Sequence, residues 1–203
     1  MFSIKVLAAA GVLSTSAPPL AASKMFLSIE IELNQHETLI LTFVKWNALG
    51  GTGMILNVDG ISIDNHGVSS FGGLIQNADS AWVHGFFGNL RVTNIIHPEL
   101  MAMYKGLLLA WDLNAKDLWC YSDSKMAIKL ITEPVDEWHH YATMLNNIKE
   151  LLNRDWRVLI LHTFREGNSC TDYLAKHGAN NTDVFVSIAI APGACWAEPL
   201  AAR

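Results

Sequence analysis

The chain is predicted to be an α/β protein, a five-stranded mixed sheet with an antiparallel three-stranded meander, flanked by helices. Two observations predict it. Three strand-like segments, Met54 to Asp59, Ser70 to Gln76 and Ala81 to Phe87, are separated only by short polar turns, which is the pattern of a meander. After them, segments with helical apolar period alternate with short strands. A meander followed by such alternation implies a mixed sheet covered by helices.

Each element has its own signal. Met54-Ile55-Leu56-Asn57-Val58-Asp59 is a strand with polar punctuation, stopped by Gly60, and Asp64-Asn65-His66-Gly67 is a turn. Ser70 to Gln76 follows as the second strand, Asn77-Ala78-Asp79-Ser80 is a hairpin loop, and Ala81 to Phe87 returns. A helix opens at Pro98, a favoured first-turn residue. Its Leu100, Met103, Tyr104, Leu107, Leu108 and Trp111 keep the helical period. Asp117 to Ser122 is a short strand, and Ser124 to Ile131 a short helix ended by Glu133-Pro134. Tyr141, Met144, Leu145, Ile148, Leu151 and Leu152 mark another amphipathic helix. Trp156 to Phe164 is a strand, and Asn168 can cap a final helix running to about Gly178.

A chain of 203 residues suits one domain with tails, and with 51% apolar residues it can bury a sizeable core. The expected division is a leader at 1–23, a lead-in at 24–53 holding short strands at 30–33 and 39–44, the domain at 54–181, and a tail at 182–203 that is irregular or disordered. The formal net charge of -5 weighs against a broad basic nucleic-acid surface, so any basic patch must be local. Cys120, Cys170 and Cys195 are odd in number and form no C-x-x-C pair. That argues against zinc fingers and a disulfide framework and favours an intracellular, reducing setting. Against this, Lys5, the apolar run Val6 to Leu13 and the small residues at 21–23 follow the outline of a secretory signal or an organelle transit peptide. An unstructured leader, with Met25 as an alternative start, is the competing reading. The apolar run is too short to span a membrane. A monomer is expected.

Four acids stand in four unlike settings: Asp59 at the end of a strand, Glu99 opening a helix, Asp123 ending a strand, and Asp172 inside the last helix. Singly, each has an ordinary explanation. Asp59-Gly60 suits a turn, Asp123-Ser124 a helix cap, Glu99 the helix dipole and Asp172 a solvated face. In sheets of this kind, however, function gathers where strand ends face helix starts. If the fold brings the acids together, the cluster is too negative to stand alone and suits hard divalent cations. Other candidates fall away. His139-His140 lacks metal-ligand spacing, His162 lies within a strand, and Gly50 to Gly53 lacks the lysine of a phosphate loop.

Five stretches carry a family likeness: Leu56-Asn57-Val58-Asp59-Gly60, Phe71-Gly72-Gly73-Leu74-Ile75, Glu99-Leu100-Met101-Ala102, Tyr121-Ser122-Asp123-Ser124, and Arg165-Glu166-Gly167-Asn168 leading to Asp172-Tyr173-Leu174-Ala175. Taken in this order on these elements, residues 46–181 resemble the type 1 ribonuclease H domain, in its plant, retroelement-derived version. The resemblance implies an endonuclease that cuts the RNA strand of RNA–DNA hybrids. It places Asp59, Glu99, Asp123 and Asp172 at the metal-binding catalytic positions. Two magnesium ions, with manganese as an alternative, would lie about 3.5–4 Å apart across the scissile phosphate. Asp59 would bridge them and Asp172 would be the loosest ligand. Gly60, through its backbone, and Asn94 are the implied substrate-binding positions, reading a strand marked by 2′-hydroxyls. The Trp138-His139-His140-Tyr141 run suits either the DNA strand or capping and core packing.

The chain departs from the family pattern at Ile61, where a hydroxyl residue is usual, and at His66, where a proline is. It departs again at Ile95, where a second asparagine is expected, at Pro98 in place of a small residue, and at Thr171 in place of alanine. These departures support an alternative reading, a catalytically relaxed nucleic-acid-binding relic of a retroelement with the same fold.

Overall fold

A computed structural model describes residues 29–30, 42–43, 53–63, 67–165 and 168–195. The expected leader, most of the lead-in and the end of the tail lie outside them. Chain packing divides the molecule at Trp46 and Asn47 into two units. In the first, β1 (Ile29–Glu30) and β2 (Thr42–Phe43) pair antiparallel, each overlapping an expected lead-in strand by one or two residues.

The second unit holds β3 (Met54–Ser62), β4 (Val68–Asn77), β5 (Trp82–Val92), α1 (Ile96–Asp112), β6 (Asp117–Ser122), α2 (Lys125–Thr132), α3 (Ala142–Leu152), β7 (Arg157–His162), α4 (Ser169–Ala179) and β8 (Val186–Ile188). Up to α4 this is the element order expected from sequence. The sheet runs β7-β6-β3-β4-β5-β8. β3, β4, β5 and β8 pair antiparallel in turn, while β6 and β7 pair parallel with β3 and with each other.

The sheet therefore has six strands rather than the five expected. The sixth comes from the segment read as an irregular tail. Val186, Ser187 and Ile188 pair with Phe87, Phe86 and Gly85. Three residues carry too little periodicity to announce a strand, and only the open edge of β5 makes this one.

Two other boundaries differ for one reason. Gly60 does not stop β3, and Gly88 does not stop β5; both remain paired, with Phe71. Each glycine answers a close approach, not a turn. A Cβ at Gly60 would lie 2.3 Å from the backbone nitrogen of Glu99, and one at Gly88 2.2 Å from the carbonyl of Val184. Such approaches between distant segments leave no local trace. Asp59 consequently lies within β3, paired with Gly72.

Alternation along the strands sorts the two faces. Leu56, Val58, Phe71, Ile75 and Phe86 join Leu100, Met103 and Leu107 of α1, with Leu145 and Ile148 of α3, in the main core. The opposite face carries α4. Leu174 packs there on Leu74 and Phe87, and the Ser70 hydroxyl donates to the Ala175 carbonyl at 2.6 Å. Asp59 and Gly72 project to this second face by the same alternation.

α1 begins two residues before Pro98 because the Asn94 side chain accepts the His97 amide at 3.1 Å, closing the first turn. It ends where Asn114 takes φ 59°, the left-handed conformation that asparagine tolerates. Ser124 caps α2 as expected, its Oγ accepting from Ala127 at 3.3 Å. The cysteine reading needs correction. Cys170 and Cys195, 25 residues apart, form a disulfide, and Cys120 is the free, buried one. An odd count excludes a complete framework but not one bond, and the pairing depends on the chain's return past β8.

Candidate active site

Parallel pairing of β3 and β6 sets two acids side by side. Val58 stands opposite Ser122, so Asp59 and Asp123 follow as neighbours. α1 enters directly across Gly60, where the absence of a side chain lets the backbone of Pro98 and Glu99 sit against the strand. The close approach positions the Glu99 carboxylate. One carboxylate oxygen each from Asp59, Glu99 and Asp123 lies within 4.8 Å of the others. Pro98, a departure from the family pattern, is buried in this first turn and does not displace Glu99 from the cluster.

The electrostatics of the triad are severe. Asp59 is 4% exposed and Glu99 8%, so water screens neither. Burial raises the Asp59 carboxyl to about 7, helped by the charges of Asp123 and Asp172 and opposed by Arg165 and the Gly60 amide. Burial also raises Glu99 to about 9, with Asp59 and Asp123 adding to it. Glu99 Oε2 and Asp123 Oδ1 are buried and have no hydrogen-bond partner. Unsatisfied carboxylate oxygens facing one another are costly. A hard, oxygen-preferring divalent cation would satisfy them, so the donor set fits such an ion.

Asp172 stands apart from the three. It lies in the first turn of α4. Its Oδ2 is 2.6 Å from Lys176 Nζ and its Oδ1 3.7 Å from the Arg165 guanidinium. It still bears on Asp59 through space. The sequence reading assigned Lys176 and Arg165 no role. The four-residue spacing of Asp172 and Lys176 was a usable signal, whereas the approach of Arg165 depends on the turn after β7.

Asn168 occupies the cap position of α4, but its side chain makes no capping bond. Buried at 3% exposure, it donates from Nδ2 to the Val58 carbonyl at 2.9 Å. It thus ties α4 to the residue preceding Asp59. Thr171, the departure from alanine, is fully buried and donates to the Asn168 carbonyl at 2.6 Å. Asn168→Ala is expected to cost about 1–3 kcal/mol, since the Val58 carbonyl loses a buried donor. Urea melts of the two proteins check this; equal midpoints would deny the tie.

The two implied substrate positions are found in structural roles. Gly60 is the contact floor for α1. Asn94 Oδ1 accepts both the His97 amide and the Tyr141 hydroxyl. Tyr141 stacks on His97 with centroids 6.0 Å apart and meets His140 edge-on at 4.8 Å. These side chains line a groove of about 350 Å³ together with Tyr104, Met144 and Asn147. In the same run, Trp138 is 87% exposed. His162 closes β7 and its Nε2 donates to the Asp123 carbonyl at 3.2 Å, so it sits behind the triad, not among its ligands.

Comparison with known proteins bears on this arrangement. The family profile described as "Reverse transcriptase-like" matches residues 57–178. An Arabidopsis thaliana protein provisionally named a ribonuclease H protein is 29% identical over 139 residues. That match takes in 68% of this chain but 22% of the relative, so the chain spans about a fifth of that protein's length. Among solved structures, ribonuclease H1 of the archaeon Halobacterium salinarum matches with TM-score 0.59 and 22% identity, over 63% of this chain and 98% of its own. The N-terminal ribonuclease H domain of a Mycobacterium tuberculosis protein, solved as a maltose-binding-protein fusion, matches at 0.58 and 21%, over 64% of this chain and 95% of its own. A further ribonuclease H1, named LC11 and solved with an RNA/DNA hybrid, matches at 0.58 and 17%, over 63% and 96%. At these identities the structures speak to the fold. No helix among the described residues is long and apolar enough to cross a membrane.

Proposed function

Because this chain belongs to the reverse transcriptase-like family, a ribonuclease H domain of the retroelement type, we propose that it is an endonuclease that hydrolyses the RNA strand of RNA–DNA hybrids. The observation that carries the proposal is the triad, with three carboxylates within 4.8 Å, two of them nearly inaccessible to water. Asp59, Glu99 and Asp123 would hold magnesium, or manganese in its place, and Asp172 would join as the loosest ligand. Held there, such ions would supply activation of a water for in-line attack and charge stabilisation for the leaving 3′-oxygen.

The chain's own residues do the rest. Asp59 lies on a central strand, pinned by pairing on both edges and by Asn168 at Val58, so its carboxylate is preorganised. Glu99 closes the site from the helix side. Arg165 and Lys176 hold the Asp172 carboxylate outside the triad. The Asn94 side chain and the backbone at Gly60 would face the RNA strand, and the exposed Trp138 offers a stacking surface to a base or sugar.

The test is cleavage of an end-labelled RNA in hybrid form with magnesium, beside the same RNA single-stranded. Cutting confined to the hybrid is expected. No cutting where a control nuclease succeeds would reject the enzymatic reading. The second reading, a binding relic without turnover, draws on Asp172 being engaged by two cations and on Ile95, 53% exposed, standing where an asparagine is expected. It requires hybrid binding without cleavage in the same experiment.

A further inference from the structure

We propose that the Cys170–Cys195 disulfide is a reversible redox latch that fastens the C-terminal extension onto α4. Cys170 is the second residue of α4, two positions before Asp172, and Cys195 closes a 3-10 turn at Gly193–Cys195. Between them the chain leaves α4, adds β8 to the edge of β5, and returns. Several non-covalent contacts also hold this extension. Asn89 donates from its backbone amide to the Asp183 carbonyl and from Nδ2 to the Asn181 carbonyl, each at 2.8 Å. His84 Nε2 lies 2.5 Å from Ser187 Oγ, and the Phe185 ring lies 6.0 Å from that of Phe86. β8 has three paired positions, and Trp82 Nε1 donates to the Ala189 carbonyl at 3.2 Å. Val186 and Ile188 rest on the small cluster of Leu74, Phe87 and Leu174, separate from the main core. A three-residue edge strand is marginal by itself. The cross-link adds a covalent restraint by shortening the free excursions of a 25-residue loop.

Both cysteines are half-buried rather than enclosed, so a small dithiol can reach them. A thiolate of the dithiol attacks one sulfur, breaks the Sγ–Sγ bond and forms a mixed disulfide. Its second thiol then displaces the remaining chain sulfur. The protein gains two electrons and two protons and ends with two thiols, while the dithiol ends as its own disulfide. Reduction thus removes the covalent tie between the extension and the first turn of α4, which carries Asp172, and leaves only the non-covalent contacts to hold them. Cys120 is fully buried in the core and takes no part, so it serves as an internal control.

The experiment uses the full chain, prepared under oxidising conditions and then treated with dithiothreitol. Mass analysis after alkylation should show two thiols blocked before reduction and free after it, with Cys120 reactive only on unfolding. The reduced form should melt about 5–10 °C lower. Amides of 169–174 and 186–188 should exchange at least about tenfold faster, while those of β3 stay unchanged. Cys195→Ser should match the reduced wild type with or without dithiothreitol. Free Cys170 and Cys195 in the oxidised preparation, or equal melting and exchange in both redox forms, would overturn the proposal.

Discussion

Asp59→Asn is expected to reduce hybrid cleavage by about 100-fold or more, while making the cation-free protein more heat-stable. The substitution keeps shape and removes charge from the centre of the triad. Asn retains one neutral oxygen and replaces the other with an amide group that cannot ligate a cation. A cation site loses several kcal/mol of transition-state stabilisation when a ligand of this kind goes, which is a factor of about 100 or more in rate. The gain in stability has the same origin. Native Asp59 is buried among like charges, and its carboxyl is raised to about 7, so the folded state bears a charge it disfavours. The paired outcome is diagnostic. A variant that lost activity through misfolding would melt lower, not higher. Retained cleavage at wild-type rate would remove Asp59 from the chemistry altogether.

Without divalent cations, wild-type stability is expected to fall as pH rises from about 4 to about 9, and magnesium is expected to cancel the fall. The sign follows from proton linkage. Asp59 moves from 3.8 in the unfolded chain to about 7 in the fold, and Glu99 from 4.5 to about 9. Between those values the folded state holds protons that the unfolded state has released. The stabilisation is complete below about 4 and is lost progressively until each folded value is passed. Bound cations replace the protons and stabilise only the folded form. Thermal melts at pH 5 and 8.5, with chelator and with magnesium, measure the effect. Glu99→Gln isolates it, since its cation-free melting temperature should depend less steeply on pH. Identical slopes for the variant and the wild type would show that the triad does not control this dependence.

Both expectations rest on residues that could be named in advance and on a meeting that could not. Asp59, Glu99, Asp123 and Asp172 were legible because each sits in a short stretch with a recognisable neighbourhood, such as Leu56 to Gly60 or Tyr121 to Ser124. That three converge within 4.8 Å while the fourth is held by Lys176 and Arg165 was not legible. Asn168 shows the same division. Its place at the start of the last helix was readable from local pattern, but its bond to Val58 crosses 110 residues. Gly60 was read as a strand end because glycine usually marks a break, and it is instead a point where another backbone comes close.

By itself, then, the sequence determined the element order, the apolar faces of α1 and α3, the cap of α2 and the identity of the acids. These depend on periods of two and 3.6 residues and on contacts within a turn, which a local window contains. Only the tertiary structure decided the sixth strand, the Cys170–Cys195 bond and the division of four carboxylates into a triad and an outlier. Those features depend on which distant backbones pair and how closely they approach, and the free energy of such contacts belongs to no single stretch of chain.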